Sequence, residues 1–395
     1  MEKILYINGC ALDCALGEDP EQVGNELFAE DPCVSLQVHP RLKIPYFTIR
    51  SRNEKEFIHS AAFHACLTAA ENALKTAFPE TGLPPPGLRI GCLVGTTGDV
   101  QFGDLDFYRA LKENLPPDEK ISHFVHGTVA ERLVRHFGFS GPAVTISNTC
   151  VSGADAVLLG SAWIEADLCD MVLALGIDLV SPMCLTGFYT LGAASSERCR
   201  PFDKNRSGMN VGEGCGCVIL RRGDLPEEQE KSFSRPLFRF PGGGSACDAY
   251  HLTAPHPEGL GLVLAMKKAL KTAKKAPSDI AFVNAHGTGT LANDQSESKA
   301  LKALFGEGVP FFSTKGLTGH TLGASGVLEL IFTMLCLEKG KIPKSFGCST
   351  PGEDIAIKPN MELREISGNI AMSTSLAFGG YNTALIVERI KDVSA

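Results

Sequence analysis

The sequence predicts an α/β protein with buried sheets. Short apolar runs alternate with helical periodicity along most of the chain, and several runs are apolar at nearly every position, as strands covered on both faces are. ILYING (4–9) and RIGCLVG (89–95) read as strands, with a helical pattern over 54–77 between them. AVTISN (143–148) and MVLALGID (171–178) read as buried strands flanking a helix over 152–165. The acidic stretch GDLPEEQEKSFS (223–234) reads as a surface loop. The pattern then resumes with a helix over 259–274, the strand IAFVNAHG, a helix from Asp294 and the strand FFSTK. A long apolar helix from Leu322 and a hairpin-like pair near 368–389 complete it.

With 395 residues, 44% of them hydrophobic, the chain can bury one large core or two medium ones, which excludes disorder and a disulfide-stapled miniprotein. The net charge of −8 argues against nucleic acid as a partner. The 14 cysteines contain no Cys-x-x-Cys pair, the tightest spacings being Cys10/Cys14 and Cys215/Cys217, and most sit in apolar surroundings. This pattern predicts a reducing, cytoplasmic setting with neither disulfides nor a metal site. The N-terminal MEKILYING has no signal-peptide core, and the run Val327–Leu337 is too short to span a bilayer and contains Glu329, so no membrane association is expected.

A shift of 170 positions lays CVSGADAVL (150–158) over HTLGASGVL (320–328), matching Gly153/Gly323, Ala154/Ala324, Val157/Val327 and Leu158/Leu328. Chance explains a match this short, but so do two half-domains of like topology, each presenting one residue at a buried helix N-terminus.

Those two residues are chemically interesting. Cys150 ends a strand and a polar loop at a helix start, where orphan N–H groups favour a thiolate; the plainer reading is one more packed thiol. His286 in FVNAHGTGT is followed by glycines that permit close backbone approach and by the hydroxyls of Thr288 and Thr290. His320 in STKGLTGHTLGASG has a similar setting, with Lys315 five residues before it. Glu329 falls within an apolar helix, and a buried carboxylate needs a partner, for which Lys315 is the obvious candidate. Gly379–Gly380 in TSLAFGGYN suggests a tight turn beside Phe378 that aims a backbone N–H at something.

These segments occur in order: TCVSGA around Cys150, CRPFDKNRSGMNVGEGCG (199–216), CDAYHLTAP (247–255), NAHGTGTLAND (284–294), STKGLTGHTLGASG (313–326) and SLAFGGYN (375–382). In this order they resemble the β-ketoacyl-acyl-carrier-protein synthases, most closely the elongating, decarboxylating Cys-His-His type, over nearly the whole chain. The resemblance implies the thiolase fold, with two pseudo-duplicated half-domains, residues 1–235 and 236–395, in five α/β/α/β/α layers.

It also implies a function. Cys150 would accept an acyl chain from the phosphopantetheine of acyl carrier protein. Malonyl-carrier protein would then lose carbon dioxide, and its enolate would attack the Cys150 thioester. His286 and His320 would donate N–H to the enolate oxygen, and the backbone N–H groups of Cys150 and Phe378 would form the oxyanion hole. Lys315 would orient His320 and pair with Glu329. Thr253, Thr288 and Thr290 match positions that hydrogen-bond pantetheine, Gly379 belongs to the same binding region, Phe378 would act as a gate, and Phe188 would line the acyl pocket. No bound cofactor is implied, since the substrates carry their own phosphopantetheine.

The sequence departs from the family pattern at Val151, where Ser or Thr is usual, at Tyr381, expected to narrow or reshape the mouth near Phe378, and over Asp99–His123. Fatty acid, polyketide and polyene biosynthesis all stay open, as does the choice between a homodimer and a heterodimer with a second synthase-like subunit. Arg50, Arg52 and Lys55 resemble the family's carrier-protein entrance, while Lys267, Lys268, Lys271, Lys274 and Lys275 read as a solvated helix face. A thiolase would need a second cysteine where Phe378 stands, and chain-starting synthases use Asn in the place of His320. A chain-length-factor subunit would usually lack the nucleophile.

Overall fold

A computed structural model describes residues 4–51, 58–98, 112–113 and 129–390. Fourteen strands are described: β1 (Leu5–Cys14), β2 (Leu36–Val38), β3 (Pro45–Phe47), β4 (Ile90–Gly95), β5 (Ala143–Ile146), β6 (Met171–Asp178), β7 (Gly214–Arg222), β8 (Phe238–Cys247), β9 (Phe282–Asn284), β10 (Phe311–Phe312), β11 (Lys341–Ile342), β12 (Arg364–Glu365), β13 (Ile370–Ala377) and β14 (Tyr381–Arg389). Ten of them form one sheet in the order β10-β9-β13-β14-β8-β1-β7-β6-β4-β5. The short pairs β2–β3 and β11–β12 lie apart from it.

The sheet reads as one pattern written twice. Taken in chain order, β1, β4, β5, β6 and β7 have the same spatial order as β8, β9, β10, β13 and β14. The directions repeat as well. β4 is parallel to β5 and β6, as β9 is to β10 and β13, while β7 is antiparallel to β6 and β1, as β14 is to β13 and β8. The two five-stranded halves join through only two residue pairs, Tyr6↔Arg239 and Ile7↔Phe238. The change from one half to the other falls between Arg222 and Phe238.

Helices fill the space between and outside these halves. Helix α1 (Pro20–Leu27) lies against the helix over 325–339, and α2 (Ile58–Ala77) packs on β1, β7 and β6 together with α3 (Val129–Phe137), which covers β4 and β5. The central layer is α4 (Ser152–Glu165) beside α10 (Ser325–Lys339), with α5 (Pro182–Thr190) and α6 (Glu227–Glu230) lying between them in the chain. The far side carries α7 (Leu260–Ala273) and α8 (Leu291–Phe305), followed in sequence by the short α9 (Lys315–Thr318). This is the two-half, five-layer arrangement that the resemblance implies. Every residue of α10 from Ser325 to Leu337 is buried, because sheet covers it on two sides and α4 on a third.

The repeated segments meet back to back. A Cβ on Gly153 would lie 2.5 Å from the Gly323 carbonyl, and one on Gly326 would lie 2.3 Å from the Ala154 nitrogen. Small residues here set how closely the two halves approach.

Several local expectations shift. The acidic 223–234 stretch contains the single turn α6, the helix expected from Asp294 begins at Leu291, and the one expected from Leu322 opens there as a 3-10 turn over Leu322–Ala324 that runs into α10. Strand β8 was not anticipated, since Pro241 and Gly242–Gly244 argue against a strand interior. The glycines are there because α7 lies against them: a Cβ on Gly244 would meet the Ala265 carbonyl at 2.5 Å.

Candidate active site

The segment between β5 and α4 turns sharply. Thr149 adopts φ +50°, a region costly for a residue with a Cβ, and Cys150 follows it directly at the mouth of α4. Ser152 stabilises the turn by accepting from the Asn148 N–H at 2.8 Å and donating to the Thr149 carbonyl at 2.6 Å. Val151 is fully buried and gives α4 no side-chain cap. The Thr149 hydroxyl donates to the Phe378 carbonyl at 3.0 Å, tying the nucleophile loop to the turn between β13 and β14.

Cys150 faces two cavities. One, of about 340 Å³, is lined by Cys150, His286, His320, Thr253, Thr288, Thr290, Phe188 and Phe378 among others. The second, of about 280 Å³, lies on the other side of Cys150 and is mostly apolar, with Thr97, Gly98, Met183, Gly187, Leu191 and Leu322 in its wall. Phe188 and Phe378 border both, with ring centroids 6.0 Å apart.

The two histidines come from the second half. His286 follows β9, and its backbone N–H and that of Gly287 both donate to the Glu297 carboxylate on α8 at 2.7 Å. His320 follows α9 and is clamped by Asn210 and Gly212: its N–H donates to the Asn210 carbonyl at 2.7 Å, and its carbonyl accepts from the Gly212 N–H at 2.9 Å. The 199–216 motif thus holds the two halves in register around the site. The imidazoles stand 4.9 Å apart, nearly perpendicular.

The Nδ1 neighbours define what each ring offers. His320 Nδ1 lies 3.1 Å from the Ser325 hydroxyl, which can donate or accept, and 3.3 Å from the Leu322 backbone N–H, which can only donate, so Nδ1 accepts and Nε2 carries the proton. Lys315 Nζ, which pairs with the Glu329 carboxylate, lies 3.2 Å from His286 Nδ1, and an ammonium can only donate there. Lys315 and Glu329 pair as expected, but Lys315 orients His286 and not His320. Nearness in sequence pointed to the wrong ring; the turn of α9 carries the lysine to the other one.

Burial, reinforced for both rings by the Lys315 charge, holds the His286 and His320 imidazoles well below the usual histidine range, so both are neutral. Burial also pushes the Cys150 thiol up to about 12, a rise that Lys315 opposes. Desolvation therefore outweighs the helix start that favours a thiolate, and the thiol form predominates.

Other expected site residues fall in different places. Thr288 and Thr290 share a hydroxyl contact of 2.9 Å in the larger cavity. Gly379 does not line either cavity; with φ +87° it donates its N–H to the Leu252 carbonyl at 2.6 Å, anchoring the loop that bears Thr253. Tyr381 packs on Gly379 and is partly exposed, so it buttresses the turn without narrowing the mouth. Of the basic residues, Lys267 and Lys271 are exposed, Lys275 pairs with Glu388 at 3.3 Å, and Arg50 donates to the Cys33 carbonyl at 3.1 Å. Arg52, Lys55 and nearly all of Asp99–His123 lie outside the described residues.

Sequence reasoning missed Glu297, Asp294 and Asp178, all fully buried carboxylates. Asp294 accepts from the N–H groups of Phe202 and Gly289 at 2.6 and 3.1 Å. Their signal was available: Asp294 and Glu297 stand one turn apart among Ala292, Ser296 and Ala300, too small a set of neighbours for a solvated face. Among the described residues, no group of three or more His, Cys, Asp or Glu is arranged to hold a metal, and no helix is long and apolar enough to cross a membrane.

Comparison with known proteins fits this geometry. The model of the β-ketoacyl synthase N-terminal domain matches residues 45–225, and that of the C-terminal domain matches 238–349. The chain belongs to the β-ketoacyl synthase family. As a β-ketoacyl synthase it is a condensing acyltransferase. It is 32% identical over 330 residues to 3-oxoacyl-[acyl-carrier-protein] synthase 2 of Coxiella burnetii, covering 79% of this chain and 77% of that protein. It is 30% identical over 358 residues to the tetracenomycin polyketide synthase ketoacyl synthase alpha subunit of Streptomyces glaucescens, covering 85% and 82%. Among solved β-ketoacyl synthase structures, a ketosynthase in complex with its chain length factor from Xenorhabdus doucetiae superposes with a TM-score of 0.79 at 28% identity, covering 98% of both chains.

Proposed function

We propose that this chain carries out the decarboxylative condensation of malonyl-acyl carrier protein with an acyl chain held on Cys150, giving 3-oxoacyl-acyl carrier protein. The observation that carries this reading is the pair of neutral imidazoles, each accepting at Nδ1 and so presenting Nε2–H in the cavity that holds Cys150.

The chemistry follows from those groups. Cys150 Sγ attacks the acyl thioester of the carrier, the carrier's C–S bond breaks, and the thiol proton of Cys150 ends on the departing pantetheine sulfur. The exchange needs no net deprotonation, which suits a thiol held at about 12. The malonyl thioester then loses carbon dioxide, and negative charge develops on its thioester oxygen, where two preorganised N–H donors stabilise it. The enolate carbon bonds to the acyl carbon on Cys150. The oxyanion of that step is assigned to the backbone N–H groups of Cys150 and Phe378, whose two loops are tied together by the Thr149 hydroxyl donating to the Phe378 carbonyl. Collapse breaks the C–S bond, and the Cys150 thiolate regains its proton from water.

The acyl chain is assigned to the apolar 280 Å³ cavity and the pantetheine arm to the threonine-lined one, with Phe378 between them as the gate. The protein is proposed to work in the cytoplasm without a bound cofactor, as a homodimer, and to serve either fatty acid or polyketide biosynthesis; relatives at similar identity stand on both sides of that division. The match to a ketosynthase solved with its chain length factor favours a heterodimer as the second reading.

Intact-mass measurement after incubation with a panel of acyl-carrier proteins tests the proposal. A mass gain that disappears in Cys150→Ala, followed by extension with malonyl-carrier protein, supports it. No acylation at any chain length would favour a non-catalytic partner subunit.

A further inference from the structure

Asp178 closes β6 as a fully buried carboxylate, and no cation pairs with it among the described residues. It is held by hydrogen bonds alone. Oδ1 accepts from the Thr96 hydroxyl at 2.7 Å, while Oδ2 accepts from the backbone N–H groups of Thr97 at 2.9 Å and Gly323 at 2.7 Å. Thr96 and Thr97 follow β4 in the first half. Gly323 belongs to the second half, three residues after His320. One carboxylate therefore joins the halves at the loop that carries a reacting histidine.

That loop is not relaxed. Leu322 adopts φ +51°, a left-handed conformation that a branched side chain rarely takes. The conformation accompanies the placement of the Leu322 N–H on His320 Nδ1 at 3.3 Å. The adjacent Gly323 N–H is fixed on Asp178, and Gly323 has no room to move: a Cβ there would lie 2.6 Å from Thr96 Cα and 2.7 Å from Asp178 Oδ2. Strained backbone persists only where its surroundings over-determine it. Here a single oxygen, Oδ2, receives both the Thr97 and the Gly323 N–H, so the loop after His320 is held directly against the loop after β4.

We infer that Asp178 is a positioning residue for decarboxylation: by anchoring Gly323 it holds Leu322 left-handed and so fixes His320 as the Nε2–H donor. The inference rests on the condensing reading above for its catalytic consequence, but not for its structural one. Thr97 and Leu322 also line the apolar cavity beside Cys150, so the strut runs directly behind the acyl site.

The test compares Asp178→Ala with Asp178→Asn. The amide oxygen of Asn can still accept from Thr97 and Gly323, and the Thr96 hydroxyl can rotate to accept from its NH₂ group, so this variant keeps the anchor. Asp178→Ala loses it. In Asp178→Ala, decarboxylation of malonyl-carrier protein should fall roughly 10–100-fold, the scale for removing a group that orients a functional histidine. Acyl loading of Cys150 should stay near the wild-type rate, and Asp178→Asn should recover most of the loss. Histidine 15N spectra give a readout independent of turnover, with the His320 signals identified by their loss in His320→Gln. Wild type and Asp178→Asn should show the Nε2–H tautomer, and Asp178→Ala a mixture. An unchanged tautomer in folded Asp178→Ala, or an equal loss of loading and decarboxylation, would overturn the inference. If Asp178→Ala does not fold, a mixed tautomer in folded Asp178→Asn overturns it, and retention of the Nε2–H form there supports it. A wild type that shows the Nε2–H tautomer but no decarboxylation would count against the condensing reading and leave the strut standing.

Discussion

Lys315 Nζ lies 3.2 Å from His286 Nδ1 while pairing with the Glu329 carboxylate. The lysine thereby sets the tautomer of a ring 29 residues earlier in the chain. Lys315→Ala frees His286 to carry its proton on either nitrogen and leaves Glu329 buried without its cation. Decarboxylation should drop by roughly 10²–10³-fold, the scale of one lost preorganised donor. Acyl loading should fall much less, since the thiol exchange uses neither imidazole. Separate assays of the two half-reactions check this, and equal losses in both would defeat the assignment.

The depressed imidazoles bear on pH. Both histidines are held well below the usual value near 6.5, so neither gains a proton as pH falls through 6.5 in the folded protein. Neither imidazole should therefore contribute a limb to the pH–rate profile of decarboxylation near that value. Stability should behave differently, because the unfolded chain does bind those protons: the two histidines' contribution is complete above the unfolded value and declines as pH falls below it. A pH–rate profile together with denaturant midpoints at several pH values checks both statements. An acid limb at 6.5 that vanishes in His286→Gln would contradict the first.

Glycine at 153 is required by the crossing of α4 and α10. A methyl there would meet the Gly323 carbonyl at 2.5 Å, and backbone on both sides resists movement. Gly153→Ala should cost about 1–3 kcal/mol of stability, as overpacking typically does. Chemical denaturation measures this. A neutral result would mean that the two central helices can separate without penalty.

Phe188 stands between the two cavities, its ring 6.0 Å from that of Phe378. Phe188→Ala should merge the spaces and shift preference toward longer or bulkier acyl groups, read as the ratio of loading rates across an acyl-carrier panel. An unchanged ratio would remove Phe188 from the acyl wall.

What the residues made legible follows a physical division. Cys150, His286 and His320 stand in glycine-rich segments, the first two after strands and the third after α9, where local pattern and function coincide, and the structure gathers all three around one cavity. The Lys315–Glu329 pair was readable because a carboxylate inside an apolar helix demands a cation. Orientation was not readable. Which ring Lys315 meets, where the Gly379 N–H points and which way Tyr381 faces depend on how loops from distant parts of the chain settle together. Asp178 escaped notice because it ends an apolar strand, and its three donors come from segments 81 to 145 residues away. The repeated strand order was only hinted at by four matched positions in a nine-residue segment, since one topology can be packed by many different apolar residues.

The division of labour across the back-to-back central helices has a consequence for the growing chain. Residues 1–222, with Cys150, leave the ribosome before His286 and His320 exist, and α4 must wait for α10 to cover its exposed side. Until the second half docks, the thiol has no imidazole beside it. A nascent or half-assembled protein therefore cannot consume malonyl groups: the capacity to decarboxylate arrives only with the completed fold.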